Sequence, residues 1–185
     1  YLELAKKPAS SLQKVDTPFL PDEHKEDVED YKEGGELAAD ASKILMKILY
    51  GARLCRFDLL KATNYLSSRV TKWSKRCDRR LHRLICYINS SLDHQLVGWI
   101  GDKPDKLHIG CWSDADFAGC KVTMRSTSGS FLAIIGENTF FPITGNSRKQ
   151  TAVSHSTPEA ELVAADASLK NEALPALDLW DILFK

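Results

Sequence analysis

Four acidic residues have the types and spacing that could support chemistry. Asp114 and Asp116 stand at the end of an apolar run, and side chains two residues apart on a strand point in the same direction. Glu159 and Glu161 stand at the start of a predicted helix, where Glu161 shares a face with small residues such as Ala164. An acid on such a face is costly unless a solvated cleft or a metal ion stabilises it. The pattern therefore indicates a carboxylate site, with surface acids as the alternative.

A second candidate site is the basic segment between residues 53 and 83. It carries ten bases and two acids, a net charge of +8, in a chain whose formal net charge is zero. A local excess of this kind indicates a polyanionic partner, while a solvated Arg- and Lys-rich helical face is the alternative. The residues predicted to contact nucleic acid are Arg69, Lys72, Lys75, Arg76, Arg79, Arg80 and Arg83.

Several other classes of site are excluded by the sequence. The chain has no phosphate-binding glycine loop, no dinucleotide-binding glycine motif, no serine nucleophile elbow and no paired-histidine zinc motif. Its five cysteines, without a Cys-x-x-Cys pair, argue against a disulfide framework or zinc site and favour a reducing compartment. With 43% apolar and 27% charged residues, the composition is that of an ordinary globular protein. No apolar run approaches about 18 residues, so we expect no membrane span.

Apolar periodicity predicts the elements that position these residues. Helical spacing predicts three helices, over residues 37–50, 58–70 and 78–89. Asp58 is the predicted cap of the second helix, and the third should bury Leu81 and Leu84 while Arg79, Arg80 and Arg83 fall on its other side. The basic segment is therefore predicted to lie on two neighbouring helices.

The period then changes from helical spacing to alternation. The sequence predicts four strands, over residues 95–100, 107–112, 129–135 and 139–143, and the second of them alternates between apolar and other residues. A last helix should begin near Ser156, which forms a capping box with Glu159, and should kink or break at Pro175. By contrast, residues 1–36 carry a net charge of −5, few apolar residues and three prolines, which predicts an extended polar arm. Either a larger protein assembly or the rest of the chain must order that arm.

Four motifs in order give the chain a resemblance to a known family. They are SDADFAG at 113–119, RSTSG at 125–129, SRKQ at 147–150 and VSHSTPEAEL at 153–162. Together they resemble the ribonuclease H domain of copia-type retrotransposon polyproteins. Upstream, GARLCRFD at 51–58 and the two basic helices look like the segment that connects reverse transcriptase to ribonuclease H in the same polyproteins. The resemblance covers roughly residues 40 to 181.

The resemblance implies a fold and an activity. The expected fold is α+β, a partial ribonuclease H-like sheet made of an antiparallel meander and its first helix, preceded by a helical connection lobe. The expected domains are the arm at 1–36, the connection segment at 37–92 and the partial ribonuclease H-like domain at 93–185. By resemblance, Asp114 and Glu161 bind Mg²⁺, two ions of which cleave RNA in RNA–DNA hybrids. The expected partner is that hybrid or another nucleic acid.

Two departures from the family change the expected activity. The family's third metal carboxylate follows on the strand after the first helix, and its fourth carboxylate and late histidine come further on, whereas this chain ends at Lys185. With only Asp114 and Glu161, both metal affinity and rate should collapse. We therefore expect an inactive fragment of a reverse transcriptase and ribonuclease H. The alternative is a retroelement-derived, non-enzymatic structural or binding subunit of a larger assembly.

Overall fold

The computed structural model describes residues 1–19, 34–120 and 123–184, so residues 20–33 of the predicted arm lie outside the described residues. The chain divides into two units, Tyr1–Gln95 and Leu96–Lys185. The first is helical, and the second carries three antiparallel strands with helices. The predicted α+β class is confirmed, and the second unit is consistent with a partial ribonuclease H-like sheet. Within the described ranges, no helix is both long enough and apolar enough to cross a bilayer.

Among its described residues, the first unit contains three α-helices. α1 spans Ala41–Leu54, α2 spans Leu60–Ser67 and α3 spans Lys75–Ser90. Each carries apolar residues at helical spacing, so the three helices can bury one shared core. The largest fully buried apolar side chains of that core are Leu45, Leu66, Leu81 and Leu84.

Asp58 does not cap α2, and that prediction was wrong. A short 3-10 turn over Phe57–Leu59 precedes the helix, and no side chain makes a cap hydrogen bond there. The Asp58 carboxylate instead accepts hydrogen bonds from Arg56 Nη2 at 2.8 Å and from the Tyr87 hydroxyl at 2.9 Å. Burial alone would raise the pKa of Asp58, but the hydrogen bonds from Arg56 and Tyr87 outweigh it and lower that pKa. Asp58 therefore links the start of α2 to α3.

Asp78 joins the segment before α1 to the first turn of α3. Its carboxylate accepts hydrogen bonds from the backbone N–H groups of Glu36 at 2.7 Å and Leu37 at 3.2 Å. The indole Nε1 of Trp73, a buried residue, donates a third hydrogen bond at 2.7 Å. Hydrogen bonds to a charged acceptor are stronger than neutral ones, so one side chain fixes three separate groups.

The described part of the arm, residues 1–19, packs against α3 of the same chain. The Tyr1 hydroxyl lies 2.8 Å from His82 Nδ1. Near the other end of the segment, Arg83 Nε donates to the Thr17 carbonyl at 2.9 Å and Arg83 Nη2 donates to the Thr17 hydroxyl at 3.0 Å. These residues of the arm therefore have partners within their own unit.

The sheet of the second unit is an antiparallel meander. β1 spans His108–Asp116, β2 spans Thr127–Gly136 and β3 spans Thr139–Lys149, in the order β1-β2-β3. The outer edge of β1 pairs with no other strand in the part of the chain that the structure describes. An exposed edge of this kind presents unpaired backbone groups to a partner.

The strand predicted over residues 95–100 does not form. Only Trp99 pairs with the sheet, through an isolated bridge to Phe140 on the edge of β3. The next outward-facing position on β3 is Pro142, which has no N–H group to donate. The ladder therefore cannot continue from Trp99 towards Pro142, and the apolar residues of the segment gave a misleading signal.

The last helical region has three parts. α4 spans Thr157–Ser168, a π-helical turn spans Leu169–Ala173 and α5 spans Leu174–Leu183. The chain continues through Pro175 without a break, because that proline lies in the first turn of α5, where its missing N–H group costs little. The predicted kink is replaced by a π-helical turn just before the proline.

One of the two hydrogen bonds of the predicted capping box at the start of α4 is confirmed. The Ser156 hydroxyl accepts a hydrogen bond from the backbone N–H of Glu159 at 3.3 Å. The Glu159 carboxylate in turn accepts from the backbone N–H of His155 at 2.7 Å. The Ser156 hydroxyl satisfies one N–H group that the first turn of the helix leaves unpaired, and the bond to His155 fixes the chain before the helix, which gives Glu159 a structural role.

Candidate nucleic-acid interface and carboxylate site

The residues predicted to contact nucleic acid differ widely in exposure. Lys72, Lys75 and Arg79 are exposed, whereas Arg69 and Arg83 are partly buried. Lys75 and Arg79 are one turn apart on α3, so they lie on the same side of the helix. This side is opposite to the apolar side that enters the core, and it holds the charge that could reach a polyanion.

Two of the predicted contacts are buried within the first unit. Arg76 and Arg80 are only 7% and 8% exposed, so Arg80 does not lie on the exposed side of α3 as predicted. The guanidinium carbons of Arg80 and Arg69 lie 4.6 Å and 3.7 Å from the centroid of the Tyr65 ring. A cation this close to an aromatic ring is stabilised by the ring quadrupole. Arg69 and Arg80 therefore support packing, and contacts of these residues with nucleic acid stay a prediction.

His82 holds the arm against α3 through both ring nitrogens. Its Nε2 lies 3.1 Å from the Ser11 carbonyl oxygen, which can only accept, so Nε2 carries the proton and Nδ1 accepts from the Tyr1 hydroxyl. Burial is the largest cause that raises the pKa of Tyr1, to about 12, so this hydroxyl stays protonated. Burial lowers the pKa of His82, and the positive charge of Lys7 lowers it further.

We expect the arm to be held more weakly at acidic pH. The pKa of His82 is below its ordinary value of 6.5 when the arm is docked, so the detached state takes up the proton first. The stability that neutral His82 provides is thus complete above pH 6.5 and is lost as the pH falls below it. Hydrogen-exchange protection factors of residues 1–19 should be lower at about pH 5.5 than at about pH 7.5.

Two histidine variants provide the control for this pH effect. His82→Gln should remove the pH dependence of protection in the arm, because the titrating group is gone. His94→Gln, at an exposed position of the same unit, should leave it unchanged. Equal protection at both pH values in the parent protein would contradict this role of His82.

The predicted carboxylates Asp114 and Glu161 lie on β1 and α4. The side chain of Asp114 points to the face of the sheet that does not carry α4. Ala115 is buried in a small cluster with two alanines of α4. Because successive side chains on a strand point to opposite faces, Asp114 points away from α4, towards the face that carries Trp112 and Asp116. Glu161 is partly buried on α4 itself. The structure therefore does not bring both carboxylates to one face of the sheet.

The Mg²⁺ ions implied by the resemblance need a cluster of oxygen ligands. A two-metal centre holds its ions about 3.5–4 Å apart with shared carboxylates. Within the described residues, no three side chains of His, Cys, Asp or Glu come together as metal ligands. The arrangement of Asp114 and Glu161 does not fit such a centre, and their roles as ligands stay a prediction from the resemblance.

Two polar residues to which the sequence analysis gave no role hold the helices on the sheet. Gln150 Nε2 donates to the Ser128 hydroxyl at 3.0 Å and to the Ala160 carbonyl at 2.9 Å. Glu172, in the π-helical turn, accepts from the Ser130 hydroxyl at 2.7 Å, and its Oε2 is buried with no hydrogen-bond partner among the described residues. Gln150 ends a motif of the sequence, but nothing in the sequence indicates that the Glu172 carboxylate contacts the sheet.

Comparison with known proteins gives a partial likeness. Over 108 residues the chain is 32% identical to an uncharacterized mitochondrial protein of Arabidopsis thaliana, a match that covers 58% of this chain and 42% of that protein. The chain therefore spans less than half the length of this relative. No family model matches the chain, and no solved structure matches it. The likeness supports a retroelement origin and says nothing about ribonuclease H activity.

Proposed function

We propose that this chain is a nucleic-acid-binding piece of a copia-type retroelement polyprotein that does not itself cleave RNA. Its second unit corresponds to part of the ribonuclease H domain, and its first unit to the segment that precedes that domain. The expected ligand is an RNA–DNA hybrid or another nucleic acid. It is bound through the exposed basic side chains of α3 and of the turn before it.

The observation that carries this proposal is the division of charge on α3. The helix buries Leu81 and Leu84, both 0% exposed, on one side. It exposes Lys75 and Arg79 on the other, and exposed Lys72 lies just before the helix. Cations fixed on a rigid helix neutralise phosphates and release counterions, which is the main source of sequence-independent affinity.

The absence of cleavage is proposed from the placement of the carboxylates. Asp114 lies on the face of the sheet away from α4, and Glu161 lies on α4. Hydrolysis by two metal ions needs both ions positioned at the attacking and leaving oxygens. We propose that Asp114, which points away from α4, and Glu161, which lies on α4, do not hold two ions in that arrangement.

A second candidate function is a binding subunit of a larger assembly. The observation that favours it is α5, which buries no residue. Its exposed apolar side chains include Leu174, Leu177 and Ile182. A helix that exposes this much apolar surface is typical of a contact with another protein surface.

We expect binding of a labelled RNA–DNA hybrid to weaken steeply with salt. The Lys75→Gln/Arg79→Gln double variant should flatten the slope of log K against log salt by about two units, since each lost phosphate contact removes ~0.9. The slope is measured by fluorescence anisotropy over a range of NaCl concentrations. Both positions are exposed, so the fold should be preserved.

The matched control removes the same charge from a different helix. Lys43 and Lys47 are exposed on α1, one turn apart, as are Lys75 and Arg79 on α3. The Lys43→Gln/Lys47→Gln variant should keep the parent slope. If both double variants flatten the slope equally, the effect comes from overall charge, and the assignment to α3 is wrong.

A further inference from the structure

A cavity of about 520 Å³ lies between the described part of the arm and α3, entirely within the first unit. This volume falls in the range of small-molecule sites, which is roughly 300–1,000 Å³. One wall is the side of α3 that carries Lys75, Arg79 and His82, and the other wall includes Tyr1 and Lys7 of the arm. A cavity with walls on two elements, which carry both polar and apolar side chains, can contact more of a ligand than a flat helix face can.

The charge of the lining favours an anion. Four cations line the cavity, Lys7, Lys75, Arg79 and Arg83, against the two carboxylates of Glu36 and Asp78. Lysine and arginine are the usual partners of phosphate groups, lysine as a point charge and arginine as a planar fork. Among the described residues of the lining, the excess of cations over carboxylates matches a ligand that carries phosphate.

Two residues of the wall on α3 are held in place by the contacts already described. Arg83 is fixed by two hydrogen bonds to Thr17, and His82 is fixed by Tyr1 and Ser11. A preformed wall lowers the entropy cost of binding. The lining also includes the ring of Tyr1 and apolar side chains, Ala5, Val15 and Leu37, which suit the flat apolar faces of a base.

From this geometry we infer that the cavity takes the phosphate of one nucleotide, with the base against the apolar lining. The nucleotide is either free or part of a single strand, because a duplex is too large for a cavity of this size. The inference rests on the proposed nucleic-acid binding and deepens it for a single-stranded part of the ligand, since the duplex of a hybrid stays outside the cavity. It adds Lys7, which lies outside the basic segment of residues 53–83, to the contacts.

The test compares two lysines of the arm. Lys7 lines the cavity, while Lys14 is exposed and is not part of its lining. The probes are AMP and a labelled single-stranded oligonucleotide of about 12 nucleotides. Lys7→Gln should weaken binding about fivefold, as expected for one lost charge-assisted contact, and Lys14→Gln should leave it unchanged.

A second pair of variants tests the cavity by its volume. Ala5→Trp would fill the cavity, whereas Ala9→Trp places the same side chain at an exposed position outside the lining. The Ala5 variant should reduce binding of the probes, and the Ala9 variant should bind as the parent does. Equal binding by both would contradict the inference.

The outcomes separate the two proposals and the two sources of the phosphate. Saturable AMP binding that Lys7→Gln weakens assigns the cavity to free nucleotides. Oligonucleotide binding that AMP does not displace, but that Lys7→Gln weakens, assigns it to a phosphate within a strand. If Lys7→Gln and Lys14→Gln both bind the probes as the parent does, while Lys75→Gln/Arg79→Gln binds them more weakly, the assignment of nucleotide binding to the cavity is wrong and the proposed function stands. If the parent binds no hybrid, oligonucleotide or AMP, both proposals fail.

Discussion

Leu84→Ala should lower the free energy of unfolding of the first unit by about 2–5 kcal/mol. Leu84 is 0% exposed and lies on α3 within the core shared by the three helices. Its truncation removes buried apolar surface and leaves a cavity that its neighbours fill only in part. The loss is measured by hydrogen exchange of the amides in α1 to α3 at increasing urea concentrations. It should appear as a lower urea concentration at the midpoint of unfolding.

The control for Leu84 is an apolar residue of the same unit that is exposed. Met46 on α1 is 59% exposed, so Met46→Ala removes a side chain of similar volume without opening a buried cavity. Its effect should stay within about 0.5 kcal/mol. If the two variants lower the urea midpoint equally, Leu84 is not the centre of this core.

Asp78→Ala should lower the free energy of unfolding of the same unit by about 2–4 kcal/mol. The substitution removes the acceptor of three hydrogen bonds, from Glu36, Leu37 and the Trp73 indole. Trp73 is 6% exposed, so its Nε1 would be left without this partner in a buried position. The change is measured by urea unfolding, as for Leu84.

Two further variants show whether the hydrogen bonds cause that loss. Asp78→Asn keeps one acceptor oxygen, so its stability should fall between those of the parent and Asp78→Ala. Asp93→Ala removes an exposed acid from the same unit and should have little effect. A loss in Asp93→Ala as large as that in Asp78→Ala would indicate a general charge effect and would contradict the role of this junction.

Much of the second unit could be predicted because its signals are local. The alternation of Leu107 to Trp112 and the Ser156 to Glu159 capping pattern both depend on neighbours in sequence, and both correspond to elements of the structure. The strand predicted over residues 95–100 failed for a non-local reason. Its partner edge contains Pro142, which comes more than forty residues later and cannot donate the next hydrogen bond.

The candidate sites were harder to predict, because they depend on which side chains fold inwards. Sequence spacing placed Arg80 among the exposed bases, yet the structure buries it beside Tyr65. The family resemblance also linked Asp114 with Glu161, but α4 packs on the side of the sheet that carries Ala115. Composition shows that such residues are present, and only the packing of helix on helix or helix on sheet decides their direction.

One measurement tests the central proposal, binding of nucleic acid without cleavage, most directly. A labelled RNA–DNA hybrid is incubated with the parent chain and with Asp114→Asn, with Mg²⁺ or Mn²⁺, and both the bound fraction and the length of the RNA are measured. We expect both proteins to bind the hybrid with the same salt dependence, and the RNA to remain intact at the background level in both. Cleavage by the parent that is lost in Asp114→Asn, or failure of the parent to bind the hybrid even at low salt, would contradict the proposal.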